Sequence, residues 1–107
     1  MALFIGDKWT LSVIMALSGQ REARFSEIQR ELDGISSKAL TATLRKLERE
    51  GFVRRDTTPT VPICVEYGLT ELGKSFVRDV VRPMRLWAIQ MIDRIEGNRN
   101  SYDMSLT

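Results

Sequence analysis

The segment 36–51 carries the side chains best suited to binding nucleic acid. Leu40, Leu44 and Leu47 recur at helical spacing and predict a helix that rests on a core through one narrow apolar stripe. Because a helix turns by about 100° per residue, four further side chains lie nearly opposite that stripe: Lys38, Ala42, Arg45 and Arg49. Cationic and small side chains on one exposed helix face are suited to phosphates and to base edges in the major groove.

Contacts with bases are expected near the amino end of this helix, where helix-turn-helix motifs enter the major groove. Lys38 and Arg45 are expected at guanine or at phosphate. Thr41 and Ala42 suit a thymine methyl group, and Arg49, a turn further along, suits a phosphate. Taken alone, the segment is better explained as an amphipathic helix with a solvated basic face. The order helix, turn, helix and hairpin, with the hairpin loop next to the basic helix, favours DNA binding instead.

The distribution of charge favours a nucleic-acid partner more than the total charge does. The 107 residues include 16 Lys and Arg and 14 Asp and Glu, so the net charge is only +2. Residues 38–55 nevertheless hold six cationic side chains against two carboxylates. A clustered basic face attracts phosphate locally even when the whole chain is nearly neutral.

The same composition argues against catalysis and metal binding. The chain has no histidine and a single cysteine, Cys64, so it lacks the commonest general base and the ligands of a cysteine-rich zinc site. We therefore predict no enzymatic activity, no cofactor and no metal. No apolar run approaches the ~20 residues needed to cross a bilayer, and the first residues lack the basic flank of a signal peptide. We expect a cytoplasmic protein without a membrane partner.

The predicted elements follow in the order helix, helix, helix, strand, strand, helix, within one domain over 1–107. The first helix covers about 7–18 and ends at Gly19. Its apolar residues leave few polar positions, so burial on most sides is expected.

The second helix is predicted to begin at Ser26, with Gln29 completing a capping box. Arg24 and Phe25, just before it, are predicted to pair as a very short strand. A tight turn at Asp33-Gly34 ends the second helix.

The third helix has marked boundaries at both ends. Ser36 is its predicted N-cap. Gly51 occupies the position that favours a left-handed residue, and Phe52 beyond it is placed to touch Leu47, as a Schellman ending requires.

Two strands, 52–57 and 63–69, are predicted to form a hairpin around a stiff Thr- and Pro-containing loop. Alternate residues of the second strand are expected to face the core: Ile63, Val65, Tyr67 and Leu69. The remaining residues are expected on the outer face: Cys64, Glu66 and Gly68. Beside a basic helix such a hairpin is a wing, and Arg55, Thr58 and Thr60 are expected to hold the DNA backbone. A hairpin that Thr and Pro merely stiffen is the alternative.

Thr70 is the predicted cap of the last helical region, which Pro83 is expected to kink or divide. Beyond that proline, one stripe of large apolar side chains is expected to meet a partner subunit: Met84, Trp87, Met91 and Ile95. The polar tail from Asn98 is expected to fray.

Five motifs occur in one register without gaps: Gly6-Asp7-Lys8-Trp9-Thr10-Leu11, Arg24-Phe25-Ser26-Glu27-Ile28, Gly34-Ile35-Ser36, Leu40-Thr41-x-x-Leu44-Arg45-x-Leu47-Glu48-x-x-Gly51-Phe52-Val53, and Val61-Pro62-x-x-Val65-Glu66-Tyr67-x-Leu69-Thr70-x-x-Gly73. They resemble the HxlR family of bacterial transcription regulators, and the resemblance extends from residue 3 to about residue 95.

This resemblance implies an α+β, mainly α, winged helix-turn-helix protein that is distantly related to MarR-type regulators. The helix-turn-helix would span about 26–51 and the wing about 52–69, with additional N- and C-terminal dimerisation segments at about 1–9 and 71–97. The implied function is binding of double-stranded DNA at a pseudo-palindromic operator by a homodimer, with repression of transcription as the commonest outcome. A small-molecule effector of unknown identity is compatible with the dimer junction.

The residues expected to contact DNA are Ser36, Ser37, Lys38, Thr41, Ala42, Arg45, Arg49, Arg55, Thr58 and Thr60. The residues expected at the dimer interface are Leu3, Phe4, Ile5, Met84, Trp87, Met91 and Ile95.

Two other functions are consistent with the sequence. A winged-helix module can bind another protein and use its basic face for solubility. Alternatively, Cys64 acts as a redox or electrophile sensor if Arg54 or Arg55 lies across the hairpin from it and favours the thiolate.

Overall fold

The computed structural model describes residues 8–107. Leu3, Phe4 and Ile5, which the sequence assigns to the dimer interface, lie outside these residues. The chain divides into two compact units, with the boundary between Val77 and Arg78.

Over its described residues, 8–77, the first unit contains three helices, a three-stranded sheet and a fourth helix. The helices and strands are α1 Thr10–Ser18, β1 Ala23–Arg24, α2 Phe25–Glu31, α3 Ser37–Arg49, β2 Val53–Thr58, β3 Cys64–Leu69 and α4 Glu71–Phe76. The sheet is antiparallel with β3 in the centre, between β1 and β2. The predicted fold class, a mainly helical winged helix-turn-helix, is confirmed.

Apolar side chains from every layer of this unit meet in one core. The side chains that are almost completely buried are Val13, Ile14, Leu17, Ala23, Ile28, Leu40, Leu44, Leu47 and Val53. The predicted leucine stripe of α3 belongs to this set, so α3 is held by burial of one face while its opposite face stays exposed.

The start of α2 differs from the prediction. The helix begins at Phe25 rather than after a Ser26 cap, and the amide of Arg24 donates a 2.9 Å hydrogen bond to Oε1 of Glu27. Arg24 is extended because it pairs with Glu66 of β3, and this pairing moves the N-cap two residues upstream of Ser26. The short strand was correctly expected, although it covers Ala23–Arg24 instead of Arg24 and Phe25.

The ends of α3 follow the prediction closely. Oγ of Ser36 accepts a 3.0 Å hydrogen bond from the amide of Ala39, as an N-cap should. At the other end Gly51 has φ of +85°, and the amide of Phe52 donates to the carbonyl of Leu47 at 2.9 Å. Only glycine adopts such a φ at little cost, so a Schellman motif ends the helix here.

The hairpin pairs Val53 with Leu69 at its base and Thr58 with Cys64 at its open end. Ile63 was predicted to face the core, and this is wrong: it precedes β3 and is 68% exposed. Leu69 is buried in the core and Tyr67 packs against it, as predicted, and Gly68 lies on the opposite face.

A π-helical turn, Val77–Val81, follows α4 and precedes the long helix α5, Arg82–Ser105. The predicted division of the last helical region is therefore confirmed. Pro83 lies in the first turn of α5, where its missing amide is tolerated, while its ring is incompatible with regular helix one turn earlier. The predicted fraying from Asn98 is wrong, because α5 continues to Ser105.

Within residues 8–107, none of the helices combines the length and the apolar character that a membrane crossing needs.

Candidate nucleic-acid interface

The outer face of α3 is open to solvent at nearly every predicted position. Ser36, Ser37, Lys38, Ala42, Arg45 and Arg49 are exposed. Thr41 is half-buried, because it lies at the edge of the face toward the hairpin. The basic face of α3 is therefore exposed to solvent along most of its length.

The side chain of Gln29, for which a different role was predicted, holds the turn between α2 and α3. Nε2 of Gln29 donates to Oγ of Ser37 at 3.1 Å and to the carbonyl of Ile35 at 3.4 Å. Gln29 was predicted to cap α2 through Ser26, and this is wrong. The amide instead bridges the two helices of the helix-turn-helix, and Ser37 still has a hydroxyl proton to donate to a phosphate.

A cleft of about 300 Å³ separates α3 from the hairpin. Its lining residues come from both elements: Thr41, Leu44, Arg45, Glu48, Arg55 and Tyr67. Three of the predicted DNA-binding residues, Thr41, Arg45 and Arg55, are thus brought to one place. Glu48 and Tyr67 were not assigned to the site, because only the folded hairpin places Tyr67 beside this face of α3.

Arg55 is the cation that the hairpin contributes to this cleft. Its Nε lies 3.7 Å from Oε2 of Glu48, and both side chains are about half exposed. An exposed pair at this distance is worth roughly 1 kcal/mol or less, so a DNA phosphate can compete for the guanidinium.

The loop of the hairpin presents Thr58 and Thr60, both exposed. Oγ1 of Thr60 donates a 2.7 Å hydrogen bond to the carbonyl of Pro62, within the loop. The hydroxyl proton that was predicted for phosphate is therefore used internally in this conformation. Val61, at the tip, is fully exposed.

Arg54, the residue before Arg55, is engaged by the protein itself. It contacts the carboxylates of Glu22 and Asp56. The hydrogen bond that the guanidinium donates to Glu22 is the main cause that raises its pKa above the ordinary value; burial acts in the opposite direction, and the hydrogen bond donated to Asp56 adds to the rise. Of the two adjacent arginines, only Arg55 faces the cleft.

Neither Arg54 nor Arg55 lies across the hairpin from Cys64, where the sequence analysis expected a cation. Cys64 pairs with Thr58, while Arg54 and Arg55 pair with Gly68 and Tyr67 further along β3. The expectation that either arginine lies across the hairpin from the thiol is therefore wrong. The half-buried sulfur instead has Oε1 of Glu66 at 4.0 Å.

The residues predicted for the dimer interface that the structure describes all lie on α5. Met84 and Trp87 are exposed, and Met91 and Ile95 are half-buried. No residue of α5 is fully buried. Among residues 8–107, no group of three His, Cys, Asp or Glu side chains is placed to hold a metal ion.

Known proteins share this fold and sequence pattern. The chain is 47% identical over 73 residues to an HTH-type transcriptional regulator of Methanothermobacter thermautotrophicus, a match that covers 68% of this chain and 55% of the relative. The chain thus spans little more than half the length of that relative.

Two solved structures extend the comparison. A transcriptional regulator of the MarR family from Enterococcus faecalis V583 has a TM-score of 0.78 and 33% identity, covering 86% of this chain and 82% of the other. The reduced form of the transcriptional regulator YodB from Bacillus subtilis has a TM-score of 0.74 and 34% identity, covering 81% and 83%. A diamide-treated form of YodB also matches.

The family described as HxlR-like helix-turn-helix matches residues 4–96. The named relatives are transcriptional regulators and not enzymes. The motifs, the capped third helix and the hairpin beside it are all within the matched residues, and the chain belongs to the HxlR-like helix-turn-helix family of transcriptional regulators.

Proposed function

We propose that the protein is a sequence-specific DNA-binding repressor of transcription that acts as a homodimer on a pseudo-palindromic operator. The observation that carries this proposal is the exposed cationic face of α3, which is joined by Arg55 of the hairpin across one cleft. Two elements that contribute cations to a common surface suit a duplex, which offers a base-lined groove and a phosphate backbone side by side.

In the proposed complex, the amino end of α3 enters the major groove. Lys38 and Arg45 bind guanine or phosphate, and Ala42 contacts a thymine methyl group. Arg49 and Arg55 bind the backbone and set the register of the helix. A dimer places its two copies of α3 about 34–36 Å apart, one turn of DNA.

The salt dependence of operator binding tests this proposal. Operators are first selected from random duplex DNA, and affinity is then measured between low and moderate salt. A DNA-binding protein loses affinity linearly on a log–log plot, and Arg49→Ala reduces the slope by about 1. Arg99→Ala removes an equal charge from α5 and serves as the matched control, with an unchanged slope.

A double substitution tests the assignment of α3 as the reading helix. Lys38→Ala together with Arg45→Ala should abolish discrimination between the operator and random DNA, because each good base contact contributes roughly 1–3 kcal/mol of discrimination. Equal binding by the double variant and the unchanged protein would exclude this role for α3. Transcription from an operator-bearing template, with and without protein, distinguishes repression from activation.

The alternative of a protein-binding module gives an opposite result in the same titration. Affinity for DNA would then be weak, independent of sequence and unaffected by the double substitution. Redox sensing through Cys64 stays a prediction that needs a separate thiol-specific test.

A further inference from the structure

We propose that Arg54 is a positioning residue for DNA binding. It holds the base of the hairpin from the face of the sheet opposite α3, and this places Arg55 at the cleft. This inference rests on the proposed function. It concerns a side chain that the basic composition of residues 38–55 would assign to phosphate, whereas its contacts lie within the protein.

The guanidinium of Arg54 joins β2, β3 and the segment just before β1. Nη1 donates to the carbonyl of Leu69 in β3 at 2.7 Å. Nη2 reaches the carbonyl of Arg21 at 3.4 Å and Oε1 of Glu22 at 3.2 Å, in the segment just before β1. Nε donates to Oδ2 of Asp56 at 3.0 Å. These bonds hold the start of β2 to β3 and to the segment before β1 with a charged, planar group.

A glycine provides the space for this arrangement. Gly68 lies directly opposite Arg54 in the register, and a Cβ built on it would lie 2.7–2.8 Å from the guanidinium atoms. Any larger residue would therefore displace the guanidinium from its partners. Gly68 is buried although it lies on the outer face, because the Arg54 side chain covers it.

Arg55 leaves the other face of the same strand. Consecutive residues of a strand point to opposite sides, and Arg55 pairs with Tyr67, which packs against the core. Its guanidinium reaches the α3 side of the sheet, near Glu48. The orientation of β2 determines the distance from Arg55 to α3, and the bonds of Arg54 fix that orientation from the opposite face.

The two arginines are therefore expected to give different signatures in a DNA titration. Arg55→Ala removes a phosphate contact, so it weakens operator binding and reduces the salt slope by about 1. Arg54→Met keeps the side-chain stem over Gly68 but removes every polar contact. It should weaken binding by about fivefold with an unchanged salt slope, because no counterion release is lost.

The decisive experiment is a double-mutant cycle on operator affinity, carried out at a temperature at which every variant is fully folded by circular dichroism. If Arg54 acts through Arg55, Arg54→Met has little further effect once Arg55→Ala is present. Gly68→Ala should reproduce the effect of Arg54→Met without changing any charge, because it displaces only the far end of a flexible side chain.

Each outcome distinguishes this inference from the proposed function. A reduced salt slope for Arg54→Met with additive losses would show that Arg54 binds phosphate itself, and would overturn the inference. Unchanged affinity for folded Arg54→Met and Gly68→Ala would show a role in stability alone, and would also overturn it. Failure of the unchanged protein to bind DNA in a salt-dependent way would instead overturn the proposed function.

Discussion

The third and the fifth helices differ in how far their apolar side chains are buried. The 13 residues of α3 bury Leu40, Leu44 and Leu47 within their own unit and leave a polar outer face. The 24 residues of α5 include no buried residue. Several large apolar side chains of α5 are instead exposed: Met84, Leu86, Trp87, Ile89, Ile92, Tyr102 and Met104.

Burial within its own unit stabilises α3, whereas the apolar side chains of α5 have no such burial. Contiguous exposed apolar surface on a folded protein marks an interaction site. We expect α3 to depend on the fold of its own unit, and α5 to depend on association with a second copy. The predictions below test this contrast, from the largest expected effect to the smallest.

The sharpest test truncates one apolar side chain to alanine in each helix. Leu47→Ala should lower the free energy of unfolding by about 3 kcal/mol at every protein concentration, because Leu47 is fully buried. Met84, in the stripe assigned to the dimer interface, is 48% exposed, so Met84→Ala should lower stability only at concentrations where association contributes. Urea unfolding of both variants at low and high protein concentration measures this. An equal, concentration-independent loss for the two variants would remove the contrast.

Association itself is tested at Trp87, within the stripe that was predicted to meet a partner subunit: Met84, Trp87, Met91 and Ile95. Trp87→Glu should weaken dimerisation by about 100-fold, because it places a charge in an interface whose aromatic anchors dominate binding. Sedimentation equilibrium measures the change. Asn100→Glu adds the same charge on the opposite side of α5 by helical spacing and should leave the dimer intact. A dimer that survives Trp87→Glu would exclude this stripe as the interface.

The self-sufficiency of α3 also depends on its cap. Ser36→Ala removes the hydrogen bond from the amide of Ala39 and should cost about 1 kcal/mol of unfolding free energy. Ser101→Ala, at an exposed position inside α5, is the matched control and should be neutral or slightly stabilising. Thermal unfolding of the two variants gives the comparison, and equal midpoints would mean that the cap contributes nothing.

The smallest effect is expected at Cys64, which belongs to neither helix. No cation lies across the hairpin from it, and its sulfur has the carboxylate of Glu66 as a neighbour. We expect the operator affinity of Cys64→Ser to equal that of the unchanged protein before and after diamide treatment. Release of the operator by the oxidised unchanged protein, but not by Cys64→Ser, would establish Cys64 as a sensor.

Features set by local chemistry could be predicted accurately. Ser36 and Gly51 mark the ends of α3 because a capping hydroxyl and a left-handed glycine act on backbone groups within a few residues. Features that depend on strand pairing between distant parts of the chain could not be predicted. Ser26 and Glu27 offer rival ways to start α2, and the pairing of Arg24 with β3 selects between them.

The two ends of α5 show the same difference between local and long-range effects. Its polar composition after Asn98 favours a frayed end, yet the helix continues to Ser105. Pro83 was correctly expected to divide the last helical region, because the clash of a proline ring with the preceding turn is local.

The sequence by itself determines the position and the ends of α3. Its leucine spacing, its caps and its outer cationic face all follow from side chains within one segment. The alternation of a strand also determines that Arg54 and Arg55 point to opposite faces. Only the tertiary structure shows that Arg54 is bound to Glu22 and to the carbonyl of Leu69, because strand register and the space over Gly68 depend on residues far apart in the chain.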